Sequence, residues 1–208
     1  MRVAEADSEL DIALRLSPES WEVNRESARI FYRQGRIAET ARHFRKAVGI
    51  MANDFHAWGM LASACQSLGD RDGVLRAAAN MVSQSQRVLA EDPSNGAALG
   101  IGAGGLAILG ETERAREWIE RALLIDPDNQ ILRYNFACVT ALHLHDPEAA
   151  MDLLEPVLEE ISISSYRNVL IDPDLDGLRG LPRFRKMIAA AAKRLGVKPE
   201  ATAKRAGR

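Results

Sequence analysis

A period of 34 residues constrains this chain more than any other feature. Read from Gly96 to Asn129, it places Ala103, Gly110, Ala115, Ile119, Ala122 and Pro127 at positions 8, 15, 20, 24, 27 and 32. Residues 21–54 place Ala28, Phe31, Gly35, Ile37, Phe44 and Ala47 at 8, 11, 15, 17, 24 and 27. The pattern specifies two helices per period. Small residues at 8 and 20 let the helices approach closely. Glycine at 15 supplies positive φ at the turn. Proline at 32 ends the second helix and opens the next unit. Self-similarity at such a period means stacked units sharing a continuous core.

The register extends both ways, with departures. Residues 55–95 place Trp58, Leu61, Ala62 and Gly69 at 4, 7, 8 and 15. Their second helix is expected from about Asp70 to Glu91, two turns longer than the period needs. Residues 130–163 form a degenerate unit in which Pro156 is expected to bend or break the second helix. Thr40 stands at position 20 of its unit where a small residue is usual. Residues 1–20 read as a lone second helix, so the array is expected to continue upstream of Met1 or to pair with a second copy over Leu10, Ile12 and Leu14. Residues 164–196 are expected to cap the array, with a last helix from Pro182 to Gly196 carrying Phe184, Met187, Ile188 and Ala191 on one face. Residues 197–208 are basic and are expected to be disordered.

Composition agrees with an all-α fold. The chain of 208 residues is 47% hydrophobic and only 5% aromatic, which favours helices over sheets. The acidic start MRVAEADSEL has no apolar core for a signal peptide. The longest apolar run is too short and glycine-rich to span a bilayer. Cys65 and Cys138 lie far apart without a C-x-x-C pattern and read as reduced core thiols of a cytoplasmic protein.

The repeat resembles the tetratricopeptide repeat. That resemblance implies a right-handed α-α superhelix with a concave groove lined by positions 2, 5, 9, 12 and 13 of each first helix. Here these are Glu22, Arg25, Arg29, Tyr32 and Arg33, then His56, Gly59, Ser63, Gln66 and Ser67. The next unit gives Ala97, Gly100, Gly104, Ala107 and Ile108, and the fourth gives Ile131, Tyr134, Cys138, Ala141 and Leu142. The groove is expected to take a protein or peptide, with an acidic end near Arg25 and Arg29 and apolar side chains near Gly100, Gly104 and Leu142. The opposing expectation is that these arginines pair with Glu22 and Glu26 as a solvated face. The carboxylate clamp of chaperone-binding relatives is not reproduced, because Arg25, Arg29, Met60 and Ala97 stand where its Lys and Asn would be.

Gly100, Gly102 and Gly105 satisfy G-x-G-x-x-G. A dinucleotide fingerprint needs a preceding strand, and RVLAEDPSN is a helix end and a turn. No cofactor is expected. Glycines inside a helix still cost roughly 1 kcal/mol each against alanine. Gly100 and Gly104 are expected to clear the groove floor, and Gly102 and Gly105 to permit tight packing; helix crowding alone is the other reading.

No catalytic constellation stands out, so the chain is expected not to be an enzyme. His143 and His145 are two apart and do not face each other on a helix; solvated or capping roles are expected. His43 and His56 stand alone. DPDLD at 172–176 lacks a Ca²⁺-loop acid, since Asp172 at loop position 1 puts Arg183 at 12. No metal is expected. Residues 179–208 hold ten Lys or Arg and one acid, +9, against −11 for the rest. That segment suits either an anionic partner or its own acidic body near Asp152, Glu155, Glu159 and Glu160. Without aromatic interleaving or a helix–turn–helix match, nucleic acid and membrane are the lesser readings.

DFHAWGML, AREWIERALLIDPDN and YNFAC with DPDLDGLRGLPRF are together similar to the C-terminal tetratricopeptide region of bacterial class III adenylate cyclases and their TolB-like relatives. The resemblance implies a regulatory or scaffolding module, with any cyclase chemistry in sequence outside this chain and an upstream domain of the same protein as a possible partner. The alternatives are an enzyme with an unrecognised site, or a nucleic-acid or membrane binder acting through the basic tail.

Overall fold

The computed structural model describes residues 3–197, with side chains from Ser8 onward. Among the described residues there are eleven α-helices, one 3-10 helix and no strand. Two compact units, Met1–Trp118 and Ile119–Arg208, divide the chain. The first contains α1 (Val3–Leu16), α2 (Trp21–Arg33), α3 (Ile37–Ile50), α4 (Phe55–Ser67), α5 (Arg71–Glu91) and α6 (Gly96–Ile108). The boundary falls inside α7 (Thr112–Ile125). The second unit continues with α8 (Gln130–Leu142), α9 (Pro147–Glu160), α10 (Ile163–Ile171), the 3-10 helix Pro173–Leu178 and α11 (Pro182–Leu195).

Local chemistry sets the ends. Ser20, Asp54, Asp70, Asn95, Asn129, Asp146 and Ser162 each accept a backbone N–H from the first turn that follows them, satisfying donors that a helix start leaves orphaned. Gly35, Gly69 and Gly110 occupy position 15 of their units with φ of 74°, 71° and 79°. The degenerate unit has no such glycine, and His145 takes the left-handed turn instead, with φ 52°.

A second recurrent bond involves position 4. Asn24 Nδ2 donates to the Pro18 carbonyl at 2.9 Å, Trp58 Nε1 to Ala52 at 2.8 Å and Arg133 Nε to Pro127 at 2.8 Å. An amide, an indole and a guanidinium thus make the same tie to the carbonyl six residues upstream. Sequence reasoning missed it because the three side chains share nothing but a donor.

In the first unit α2 packs on α3, α3 on α4, α4 on α5, and α5 and α4 on α6. Its core includes Ala28, Phe44, Leu61, Ala62, Ala77 and Met81. Thr40 fits in this crowded layer because its hydroxyl donates to the Arg36 carbonyl at 2.9 Å. Buried His43 holds Asn24 Oδ1 through Nδ1 at 3.0 Å. The Asn24 amide nitrogen also donates to Ser20 at 2.8 Å, so its oxygen is the acceptor and the His43 proton sits on Nδ1. The α1 helix meets α2, and here the sequence reading needs correction. Leu10 is buried, Leu14 is half-buried, and the exposed row is Ile12 and Leu16. Leu10 faces the chain's own packing and is not part of an open edge.

In the second unit α8 pairs with α9, and α11 lies on α9. The core joins Phe184, Met187, Ile188 and Ala191 to Met151 and Leu154. The α9 helix runs through Pro156 without stopping. Buried Leu154, Val157 and Leu158 around the proline hold the helix together despite its missing N–H. Arg183 bonds Glu148, Asp152 and Glu155 at 3.0, 2.7 and 2.8 Å, so part of the basic segment docks on the acidic stripe of α9. Gly196 ends α11 with φ 67°. The basic tail from residue 198 lies outside the described residues.

Candidate functional site

In the first unit the sides of α2 and α4 turned away from α3 and α5 stay open. Glu22, Arg29, Tyr32 and Arg33 are exposed on α2, and Arg25 is half-buried. On α4, His56, Ser63, Gln66 and Ser67 are exposed and Gly59 is half-buried. The two helices are tied by Arg25 Nε and Asp54 Oδ2 at 3.2 Å. Asp54 is therefore both the cap of α4 and a strut to α2, a role that its cap position conceals in sequence. Arg25 also lies 5.5 Å from the Trp21 ring centroid and meets Glu26 at 3.0 Å.

Charges on this face are only partly compensated. Glu26 also meets Arg29, at 3.6 Å. Glu22 instead accepts the Ser20 hydroxyl at 2.8 Å. Its carboxyl is held below the usual range chiefly by a backbone hydrogen bond, then by Ser20. So Glu26 pairs with the arginines as the solvated-face reading expects, and Glu22 does not. The His56 ring stacks on Phe55 at 4.4 Å between centroids. Partial desolvation by its neighbours pushes the pKa of this largely exposed ring down, Asp54 opposes this and Arg25 adds to it.

The α6 glycines have separate roles. A Cβ on Gly102 would lie 2.7 Å from Trp118 Cε3 and 2.9 Å from Ser85 Cβ, and one on Gly105 would lie 2.9 Å from the Ala78 carbonyl oxygen. Both permit close packing. Gly100 is half-buried, but Gly104 is buried, so it does not floor an open groove. Ile108 packs against the first unit's core rather than standing free. With no strand before it, this glycine run has none of the strand–turn–helix context that a phosphate cradle needs.

In the second unit the expected groove positions meet the chain itself. The 3-10 segment packs on α8. The Tyr134 hydroxyl donates to Asp172 Oδ2, and the Cys138 sulfur lies 4.0 Å from the same oxygen. Asp172 Oδ1 caps Asp174 N at 2.9 Å, and its carbonyl accepts buried Arg179 Nη2 at 2.7 Å. Tyr134 is thus occupied rather than open to a partner, while Leu142 is half-buried. Sequence reasoning set a Ca²⁺ loop aside for DPDLD but missed its meeting with α8, which spans 38 residues.

Ligand-type atoms of Cys138, Asp172 and Asp174 lie within 4.8 Å of one another. Burial, then Asp172 and Asp174, push the Cys138 thiol far up. Burial raises Asp174 too, helped by Asp172 and Asp176. Both Asp172 oxygens are engaged within the chain, by the Tyr134 hydroxyl and by Asp174 N. Cys65 and Cys138 are both free and buried.

No family model matches the chain, and no curated protein matches it. Solved structures do. TTC0263, a thermophilic tetratricopeptide protein of Thermus thermophilus, superposes with a TM-score of 0.55 at 16% identity, over 85% of this chain and 90% of that one. The fold is that of tetratricopeptide-repeat proteins. A tetratricopeptide protein of Parabacteroides merdae gives 0.55 at 16% identity, over 96% of this chain and 75% of that one. PilF of Pseudomonas aeruginosa gives 0.53 at 14% identity, over 93% and 82%. These likenesses establish the tetratricopeptide fold and leave the cyclase relation a resemblance in sequence alone. Among the described residues no helix is long and apolar enough to cross a membrane.

Proposed function

We propose that this chain is a protein-interaction module whose partner lies on the open α2–α4 face. The repeat units are 21–54, 55–95, 96–129 and 130–163, flanked by a half unit at 1–20 and a cap at 164–196. The observation that carries the reading is the exposure of Arg29, Tyr32, Arg33, Ser63 and Gln66 on two helices tied through Arg25 and Asp54, whose other sides are packed. A rigid face of this kind recognises a segment by side-chain complementarity, without bond chemistry. The earlier expectation of a groove running on through Gly104 and Tyr134 is narrowed accordingly. The test compares affinity capture by the wild type, Ser63→Trp on the open face and Ala79→Trp on an exposed position of α5. Partners lost with Ser63→Trp and retained with Ala79→Trp support the reading. Partners retained by Ser63→Trp contradict it.

A further inference from the structure

The geometry points to a metal site in the second unit: Cys138 of α8 with Asp172 and Asp174 of the 3-10 segment form a three-ligand shell for Zn²⁺. The site is independent of the reading of the α2–α4 face.

Three ligand types converge there from two elements. Cys138 is only 8% exposed, and its sulfur lies 4.0 Å from Asp172 Oδ2. One ligand atom from each of Cys138, Asp172 and Asp174 falls within 4.8 Å of the others. Sequence reasoning weighed DPDLD only against a Ca²⁺ loop. The thiol that completes the set lies 34 residues from Asp172, so no local motif announces it.

The charges at this spot lack a cation. Among the described residues the Asp174 carboxylate makes no hydrogen bond or ion pair, although it is half-buried and Asp172 and Asp176 stand close enough to raise its pKa. Arg179 is buried on the same turn, but its Nε goes to Asp176 at 2.7 Å and its Nη2 to the Asp172 carbonyl at 2.7 Å. Its charge is answered by Asp176, and the carboxylates of Asp172 and Asp174 are left facing each other and the sulfur. Partly buried carboxylates in such a pair repel unless one takes a proton or a cation joins them.

The donor set selects the metal. Ca²⁺ and Mg²⁺ want all-oxygen shells with more ligands, whereas a thiolate with two carboxylates suits Zn²⁺. A tetrahedral Zn²⁺ holds sulfur and oxygen ligands about 3.5 Å apart, so modest side-chain rotations close the shell and a water fills the fourth position. Asp172 is held ready for this. Asp174 N fixes its Oδ1, and the Tyr134 hydroxyl donates to its Oδ2, which keeps a second lone pair for the metal. Tyr134 is then a positioning residue behind the ligand. As the sulfur–metal bond forms, the thiol proton passes to solvent, so affinity rises with pH. The bound ion would pin the 3-10 segment to α8.

The test titrates the full chain, stripped by a chelator, with Co²⁺ and then Zn²⁺. A near-ultraviolet thiolate-to-cobalt charge-transfer band should saturate at about one equivalent and be displaced by Zn²⁺. Cys138→Ser should abolish the band and Cys65→Ser should leave it. Tyr134→Phe should weaken Co²⁺ about tenfold, and Asp174→Asn should weaken it further, with circular dichroism reporting the fold. Zn²⁺ should raise the melting temperature of the wild type and not that of Asp174→Asn. The inference is overturned by the absence of a charge-transfer band, by a band that survives Cys138→Ser, or by wild-type Co²⁺ affinity in Asp174→Asn. Should Cys138→Ser fail to fold, the Asp174→Asn affinity decides.

Discussion

Gly102 packs directly against the ring of Trp118, with Ser85 beside it. An alanine methyl has no room there. Gly102→Ala should destabilise the protein by about 1–3 kcal/mol through overpacking, although alanine is the better helix former by roughly 1 kcal/mol. Gly49→Ala is the control. It lies inside α3 with nothing within 4 Å of its Cβ, so it should stabilise by about 0.5–1 kcal/mol. Urea unfolding checks both signs.

Replacing Arg133 with methionine keeps the apolar stem and removes the donor to Pro127. A loss of about 0.5–1.5 kcal/mol is expected. An unchanged urea midpoint would show that the recurrent position-4 tie contributes no stability.

His145 holds a left-handed backbone conformation one position beyond that at which three other units use glycine. A side chain there costs roughly 1–2 kcal/mol, partly offset by the greater chain entropy of glycine in the unfolded state. His145→Gly should therefore raise stability by up to about 1 kcal/mol in thermal or urea unfolding.

Acid should weaken the fold. Burial, then Arg42 and Lys46, depress the pKa of His43, and burial, then His145, depress that of His143. The unfolded chain then binds protons that the folded chain refuses. Stability is fully present above the ordinary imidazole value of about 6.5 and falls as pH drops below it toward the depressed folded values. His43→Gln keeps a donor for Asn24 and should flatten the decline in unfolding free energy between neutral pH and about pH 5. A slope as steep as wild type would remove His43 from this account.

Period and turn positions were legible in sequence because each rests on a local rule. Gly35, Gly69 and Gly110 stand where a positive φ closes the turn. What stayed hidden was non-local. The bond between Arg25 and Asp54 joins residues 29 apart in sequence. Gly104 sits in a groove register yet is buried. Nothing near DPDLD says that it will lie on Tyr134. Of the positions expected to line a groove, most of those on α2 and α4 are exposed, whereas Gly104 is buried and Tyr134 is bonded to Asp172.

The most direct test of the central claim is photo-cross-linking from defined positions. A photoreactive residue placed at Ser63 or Gln66 reports the open face, and one at exposed Arg42 on α3 reports the opposite layer. The account predicts partner adducts from 63 and 66, none from 42, and loss of those adducts when Arg29 and Arg33 are reversed to glutamate. Adducts from position 42 with none from 63 or 66 would contradict it.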